Sequence, residues 1–390
     1  MLLLSVIVLL RAFLAYGDMN VQAVNELQKH LFENYNKVVL PRHNASQPII
    51  VYLESYLADL SQLREAENVL EANMYFHITW TDEFLTWNSS EYNITELSVN
   101  YDKVWLPDIF MINGLDDSRY LPVQDIMLFI THDGHVNWWP GGNTKTKCKL
   151  EVSKYPFDSQ LCMVILEPWK ASTKEQIFQL LHTPQVQNLK MYDEHADWKV
   201  TNLSEVVYVN EFYDYYGIAH YEYRIHLKRR TVYHILNIIL PVPLLSIISL
   251  CSFLIPPSSG EKMSLCVSIF LSFAVYITVI NNELPKTANG ICYFGLYLFT
   301  QLLIGGFTII LSAVVLHIYH NDRQYDQLDQ CKKRKMSSNE RVKEVNNLEN
   351  NVEKIQKNKA FALKLDMFLF KATLILDVVS FVVFLILSNT

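Results

Sequence analysis

Two kinds of hydrophobic patterning divide the chain near Arg230. Between about Ile49 and Lys228 apolar and polar residues alternate, with turn signals every ten or so residues, as in strands that bury one face. The segment HYEYRIHLK shows it best: Tyr221, Tyr223, Ile225 and Leu227 fall on one side, Glu222, Arg224, His226 and Lys228 on the other. Many such strands predict an all-β, immunoglobulin-like sandwich. Ahead of them Val24–Tyr35 carries apolar residues at helical spacing and predicts a short amphipathic helix capping the sandwich. Beyond Arg230 the alternation gives way to four apolar segments, Ile235–Ile255, Met263–Ile280, Ile291–Tyr319 and about Ala360–Leu387. Each is near the ~20 residues that cross a bilayer as a helix, so a four-helix transmembrane bundle is predicted. Ser337–Leu365 has apolar residues at helical spacing and predicts an amphipathic helix leading into the fourth span, with an unstructured linker as the alternative for its Asn-rich middle.

At 390 residues, 50% of them hydrophobic, the chain is too long for one compact domain and too apolar for an ordinary soluble one. Residues 1–17 form a brief apolar run ending in small residues, read as a secretory signal peptide rather than an anchor, although Arg11 interrupts it. Sequons at Asn44, Asn88, Asn93 and Asn202 all precede residue 230 and are expected glycosylation sites on an external domain, residues 18–230. The first three spans then fill 231–320, a cytoplasmic linker 321–358, and the fourth span with an external C-terminus 359–390. The basic run Cys331–Lys335 suits a cytoplasmic link. In an exported membrane protein it implies no nucleic-acid partner, and the net charge of -7 names no partner by itself. His132 and His135 in HDGH lack a third ligand and read as surface residues, so no metal site is expected.

Cys148 and Cys162 bracket the stretch CKLEVSKYPFDSQLC and are the only cysteines in the first 250 residues, so in an exported chain they are expected to pair. The loop's apex, Tyr155-Pro156-Phe157-Asp158, is apolar except for one carboxylate and suits a second, greasier surface. Cys251, Cys266, Cys292 and Cys331 lie in or below the membrane and read as free thiols. Two further stretches, WTDEFLTWNSSEY (80–92) and WLPD (105–108), read as framework, with Trp80 and Trp105 serving core packing and turn geometry. With the segment 258–285, SSGEKMSLCVSIFLSFAVYITVINNELP, these motifs resemble the pentameric Cys-loop ligand-gated ion channels from about Val21 to Leu387. The similarity is to the nicotinic acetylcholine receptor branch, of invertebrate type without vicinal cysteines. The resemblance implies assembly with four further subunits, as a homopentamer or a heteropentamer, and no cofactor.

In that branch an amine ligand sits between subunits in a box of aromatic rings, because a ring face attracts a cation by ~1 to 2 kcal/mol when water is excluded. The resemblance assigns Trp169, seven residues after Cys162, as the main ligand-facing ring. The first-loop position, usually Tyr, is Ile112; the strand position on the complementary face, usually Trp, is Tyr75. Where adjacent cysteines would stand, EFYDYYG (211–217) offers Tyr213, Tyr215 and Tyr216 as capping-loop contacts, with Glu211 and Asp214 beside them; which tyrosine faces the cleft is left open. Asn137 and Trp139 match the complementary side, and strand alternation predicts one buried and one exposed ring at Trp138 and Trp139. These departures point to a small extracellular ligand, cationic or amphipathic, rather than acetylcholine itself.

The pore helix is placed at 262–282, and one stripe reads Glu261, Ser264, Ser268, Leu271, Val275, Thr278 or Val279, and Asn282. Five such helices around an axis would superpose each position into a ring. Glu261 would concentrate cations at the cytoplasmic mouth, in Gly260-Glu261-Lys262 where anion-selective members carry Pro-Ala, so permeant monovalent cations are expected. Leu271 and Val275 would form a constriction that blocks ions by dewetting, while Ser264 and Ser268 would replace part of an ion's hydration shell. Small-residue helix packing is the alternative for the serines, set behind the pore reading because the whole stripe is in register. The outer ring is neutral at Asn282. Asp377 is an ionisable residue inside the fourth span with no partner nameable from sequence.

For coupling, the resemblance points to Arg229 or Arg230 with Asp158 as acidic neighbour, and to Tyr155, Pro156 and Phe157 resting on the linker near Leu284, Pro285 and Lys286. No phosphate loop, HExxH, GxSxG or paired CxxC motif supports an enzyme, and four spans oppose a binding module without a pore. The expected function is a subunit of a ligand-gated cation channel set among membrane lipid in the plasma membrane, including a postsynaptic one. An accessory subunit that binds no agonist is the alternative.

Overall fold

The computed structural model describes residues 21–121, 127–182, 192–210, 217–283, 292–320 and 338–389. The signal segment 1–17, the capping-loop residues 211–216 with Tyr213, Tyr215 and Tyr216, the stretch Leu284–Lys286 and the Cys331–Lys335 cluster lie outside the described residues. The chain forms two compact units: one holds residues up to Leu150 with Ser159–Lys228, the other Glu151–Asp158 with Arg229 onward.

The first unit opens with helix α1 (Val21–Phe32), which buries Leu27 and Leu31, and carries the single-turn helix α2 (Ser89–Tyr92). Helix α1 ends at Phe32, three residues before the expected end at Tyr35, and Asn36 then turns the backbone by accepting the Val38 N–H at 3.1 Å. A seven-stranded sheet contains β1 (Ile49–Arg64), β2 (Val69–Thr81), β3 (Glu96–Asn100), β5 (Met127–Thr131), β6 (His135–Trp138), β7 (Gly141–Lys147) and β9 (Gln176–Leu180). Its order is β3-β5-β6-β2-β1-β9, with β7 also beside β2. β9 runs parallel to β1, which β2 flanks antiparallel on its other side. A second sheet, in the order β10-β11-β8-β4, contains β4 (Phe110–Met111), β8 (Ser159–Glu167), β10 (Trp198–Asn210) and β11 (Ile218–Arg229).

Alternation decides which side chains make the core. Val51, Leu53 and Leu57 of β1, Met74, Phe76, Ile78 and Trp80 of β2, and Tyr221, Tyr223, Ile225 and Leu227 of β11 are all buried. Each such burial stabilises the fold by ~1.5–3 kcal/mol. A polar bridge joins the two sheets: Ser55 Oγ and Tyr221 Oη lie 2.5 Å apart, and the Glu205 carboxylate accepts from Tyr221 Oη (2.8 Å) and Ser55 N (2.6 Å). Burial, followed by the nearby Glu205 charge, pushes the Tyr221 phenol well above its usual range. The Cys148–Cys162 disulfide closes within this unit. One expectation from alternation is corrected: Glu222, on the polar side of β11, is buried, because three neighbours hydrogen-bond its carboxylate.

Among the described residues the second unit holds four helices long and apolar enough to cross a membrane. They are α3 (Thr231–Cys251), α4 (Lys262–Glu283), α5 (Tyr293–His320) and α6 (Ser338–Asn389). A widened turn at Ile235–Ile239 in α3 precedes Pro241 and Pro243, whose missing N–H groups interrupt the regular ladder. The amphipathic stretch and the fourth span are one continuous helix. Ile269, Phe273 and Ile280 of α4 pack with Ile239, Val242, Phe294, Tyr297, Leu298 and Phe384, and Tyr155 joins the same cluster. Between the spans Ser246 Oγ donates to Gln301 (2.6 Å), whose amide donates to Ser380 Oγ (2.8 Å) and also hydrogen-bonds Asp377. Gln301, on another helix and 76 positions away in sequence by their numbers, is the partner the local sequence could not name for Asp377.

Candidate ligand-binding faces and pore helix

The structure brings one group of candidate side chains together on the outer face of the seven-stranded sheet. Strand pairing sets Glu54 opposite His77 and Tyr56 opposite Tyr75, while Asn137 sits opposite Thr79. Trp139, just past β6, stacks on His77 with ring centroids 3.9 Å apart and planes within 10°, and lies 5.8 Å from the Tyr56 ring. Trp138 is buried and Trp139 is 42% exposed, and Tyr75 is exposed as well. Tyr75 covers Gly141, where an added Cβ would fall 2.3 Å from the Tyr75 ring, so glycine permits the ring to lie flat on the strand. His77 Nε2 meets Asn137 Oδ1 at 3.2 Å, and the Glu54 carboxylate lies 3.8 Å from His77 and 3.2 Å from His182. Burial lowers the His77 pKa against the opposing pull of Asn137 and Glu54, favouring a neutral imidazole in the stack.

Trp169 and Ile112 belong to the other sheet. Ile112 follows β4 and is exposed, its N–H held by the Ile165 carbonyl. Trp169 is the more open of the two, 64% exposed, with its ring 4.8 Å from Phe110, which in turn meets Tyr120 edge-on. Asp108 fixes the loop that carries it: Oδ2 accepts from Lys170 N (2.5 Å) and Ala171 N (3.0 Å), while Gln176 bonds both the N–H and the carbonyl of Asp108. Two residues before Trp169, Glu167 meets His220 Nδ1 at 2.5 Å, and His220 Nε2 lies 3.1 Å from Glu222. Tyr208 and Arg224 also donate to Glu222 (2.9 and 2.8 Å). Burial alone would raise the Glu222 pKa; the bonds from Arg224, Tyr208 and His220 outweigh it and hold the carboxyl below its usual range. Tyr208 is itself partly exposed, yet the loss of water around its phenol, followed by its bond to that carboxylate, pushes it up to about 12.

Sequence reasoning missed Tyr56, His77, Phe110, and the Glu167–His220–Glu222 chain. Period two would have found the first pair, since Tyr56 lies outward on β1 opposite Tyr75 and His77 lies two residues past Tyr75 on β2 itself. Nothing local marks Phe110 or the carboxylate chain. The sequon residues Asn44, Asn88, Asn93 and Asn202 are all exposed.

In the second unit the loop residues pack closely. Tyr155 is buried, its hydroxyl 2.9 Å from His234 Nδ1 and its ring under the Arg229 guanidinium at 4.9 Å. Pro156 is buried, and Phe157 packs against the same cluster. Asp158 and Arg229 form a buried two-pronged ion pair, Nε–Oδ1 2.7 Å and Nη2–Oδ2 3.0 Å, whereas Arg230 is exposed. On α4 and at Glu261 just before it the residues divide into faces. Glu261, Ser264, Ser268, Leu271, Val275, Thr278 and Val279 are exposed, while Lys262, Cys266, Ile269 and Phe273 are buried within the unit. Ser268 and Thr278 donate their hydroxyls back to helix carbonyls (2.8 and 2.6 Å), leaving oxygen lone pairs on the open face. Asn282 lies in α4, but its side chain is outside the described residues.

A two-faced aromatic β-sandwich followed by four membrane-length helices, one with a polar-to-aliphatic exposed stripe, fits a receptor and channel in one chain. Residues 24–231 match the neurotransmitter-gated ion-channel ligand binding domain and residues 238–386 the neurotransmitter-gated ion-channel transmembrane region. The chain belongs to the neurotransmitter-gated ion-channel family. Among its relatives, the neuronal acetylcholine receptor subunit alpha-3 of Rattus norvegicus is 29% identical over 304 residues, 77% of this chain and 60% of that one. The human neuronal acetylcholine receptor subunit beta-4 is 31% identical over 287 residues, covering 73% of this chain and 57% of the relative. The match thus spans about three-fifths of the length of these relatives.

Proposed function

We propose that this chain is a subunit of a pentameric, ligand-gated, cation-conducting channel of the plasma membrane. The observation that carries the reading is the exposed stripe of α4, which runs from Glu261 through Ser264 and Ser268 to Leu271, Val275 and Thr278 while the opposite face is buried in its own subunit. Lipid would favour an apolar exposed face throughout; a carboxylate and hydroxyls there suit a water-filled axis. Five copies would turn Glu261 into a ring that concentrates monovalent cations and Leu271 and Val275 into a hydrophobic gate.

The agonist site in this reading lies between subunits. Trp169, Ile112 and the capping-loop tyrosines Tyr213, Tyr215 and Tyr216 form the principal side. Tyr75, Asn137 and Trp139 of the next subunit form the complementary side. Placement of the two groups on different sheets supports a shared interface, since each sheet presents its own outer face. Stacked rings with nearby carboxylates favour a small cationic or amphipathic ligand. The loop Tyr155-Pro156-Phe157-Asp158, covalently continuous with the strand domain through Cys148 and Cys162 yet packed among the helices, would carry the motion of ligand binding to the gate. An open-state preference of the ligand drives that motion. The exposed asparagines Asn44, Asn88, Asn93 and Asn202 would be glycosylated.

The test is to express Leu271→Thr alone and record reversal potential while replacing external sodium. A hydroxyl in the constriction admits water and produces spontaneous current, and a reversal that follows sodium supports a homomeric cation pore. One that follows chloride overturns the role of Glu261. Surface protein without current favours the accessory-subunit reading, in which a partner chain completes the pentamer.

A further inference from the structure

Glu261 and Lys262 are adjacent and of opposite charge, so an ammonium that reached the same mouth would cancel the carboxylate there. The fold separates them. Glu261 is exposed, whereas the Lys262 side chain is wholly buried and its ammonium donates to Asp366 Oδ1 on α6. That ammonium also lies 5.4 Å from the Phe253 ring, beside a cluster of buried Phe253, Val315, Ala362 and Leu369. Asp366 is itself buried, and its other oxygen, Oδ2, accepts no hydrogen bond among the described residues. A buried charge is tolerated where a partner compensates it, so the carboxylate fixes where the ammonium resides.

We infer that Asp366 is a positioning residue for charge selectivity: it holds the Lys262 ammonium behind the pore helix and leaves Glu261 as the uncompensated charge on the exposed face. The inference rests on the cation-pore reading above. Each subunit then presents one net negative charge at the mouth instead of none. The fourth span, whose exposed residues are mostly apolar, thereby sets the electrostatics of a pore it does not line.

The test uses the full chain in the spontaneously open Leu271→Thr background and measures the sodium-to-chloride permeability ratio from reversal potentials under salt dilution. The background channel must first follow sodium; a chloride-following background sinks the cation reading itself, before any variant is compared. Asp366→Asn removes the counter-charge, so the buried ammonium gains by turning outward to water at the mouth, and the ratio should fall on the order of tenfold, since charged mouths carry potentials of several kT. An unchanged ratio would overturn the inference. Asp366→Asn combined with Lys262→Gln removes both buried charges, a change that cores often accept without loss of stability, and keeps the question answerable even where the single variant fails to reach the surface. The double variant should keep the ratio of the background. A ratio above the background would show that the ammonium already acts on the pore, and the inference would fall.

Discussion

The strand unit and the helix unit follow opposite rules for what they hide. In the strand unit the inward positions are mostly apolar, a few polar groups such as Ser55 are buried in hydrogen-bonded pairs, and polar groups pair on the outer face, as where Glu54 faces His77 across two strands. In the helix unit the buried set includes Lys262, Ser246, Gln301, Thr308, Ser312 and Asp366, while Phe299, Phe307, Phe368 and Ile375 lie exposed. Each surface matches a different solvent. Water solvates unpaired polar groups and drives apolar ones inward; hydrocarbon does neither, so polar side chains there must find one another. The stripe of α4 obeys neither rule, which is why it stands out as a candidate water path.

The comparison breaks most strongly at the buried ion pairs. Asp158→Ala leaves Arg229 as a buried charge without its two-pronged partner, and a loss of about 3–5 kcal/mol is expected; thermal unfolding of the detergent-solubilised protein, or loss of surface expression, reads it. Core and lipid-facing positions come next. Ile78→Ala on β2, fully buried, should cost about 2–5 kcal/mol, whereas Ile375→Ala, 62% exposed on α6, should stay within about 0.5 kcal/mol. Equal melting shifts for the two would erase the distinction between solvents. Ser55→Ala, which strips one partner from the inter-sheet bridge at Tyr221, should cost about 1–3 kcal/mol, measured by the same unfolding curve.

The smallest expected effect concerns pH. Burial depresses the folded pKa of His77, so below the unfolded value of about 6.5 the unfolded chain binds a proton that the folded one resists. Stability should fall as pH drops through that region and be insensitive to His77 above it. His77→Gln should flatten this part of a melting-temperature profile taken between neutral and mildly acid pH. An identical slope in the variant would assign the acid sensitivity elsewhere.

The alternation that put Tyr221, Tyr223, Ile225 and Leu227 inside could be read directly, because a strand has only two faces and water selects one. It misread Glu222, whose burial depends on Tyr208, His220 and Arg224 converging from two strands. The spans were legible within several residues, since length and hydropathy suffice for a helix in hydrocarbon. Their exact ends depended on turns that hydropathy ignores, such as the one that closes α3 after Cys251 ahead of Pro256. Among the candidate site residues, resemblance singled out Trp169, but Phe110 beside it and Asp108 beneath its loop are separated from it by some sixty positions.

By itself the sequence determined the periodicities, and with them the sandwich, the helices and the order of residues along the exposed stripe of α4, because these follow from local geometry and the solvent each segment meets. Tertiary structure alone decided the partnerships. Arg229 rather than Arg230 holds Asp158 at a separation of 71 residues, and Lys262 turns from its neighbour Glu261 toward Asp366 at a separation of 104. A charge removed from water takes whatever opposite charge the packing brings within reach, and one-dimensional spacing does not encode that reach.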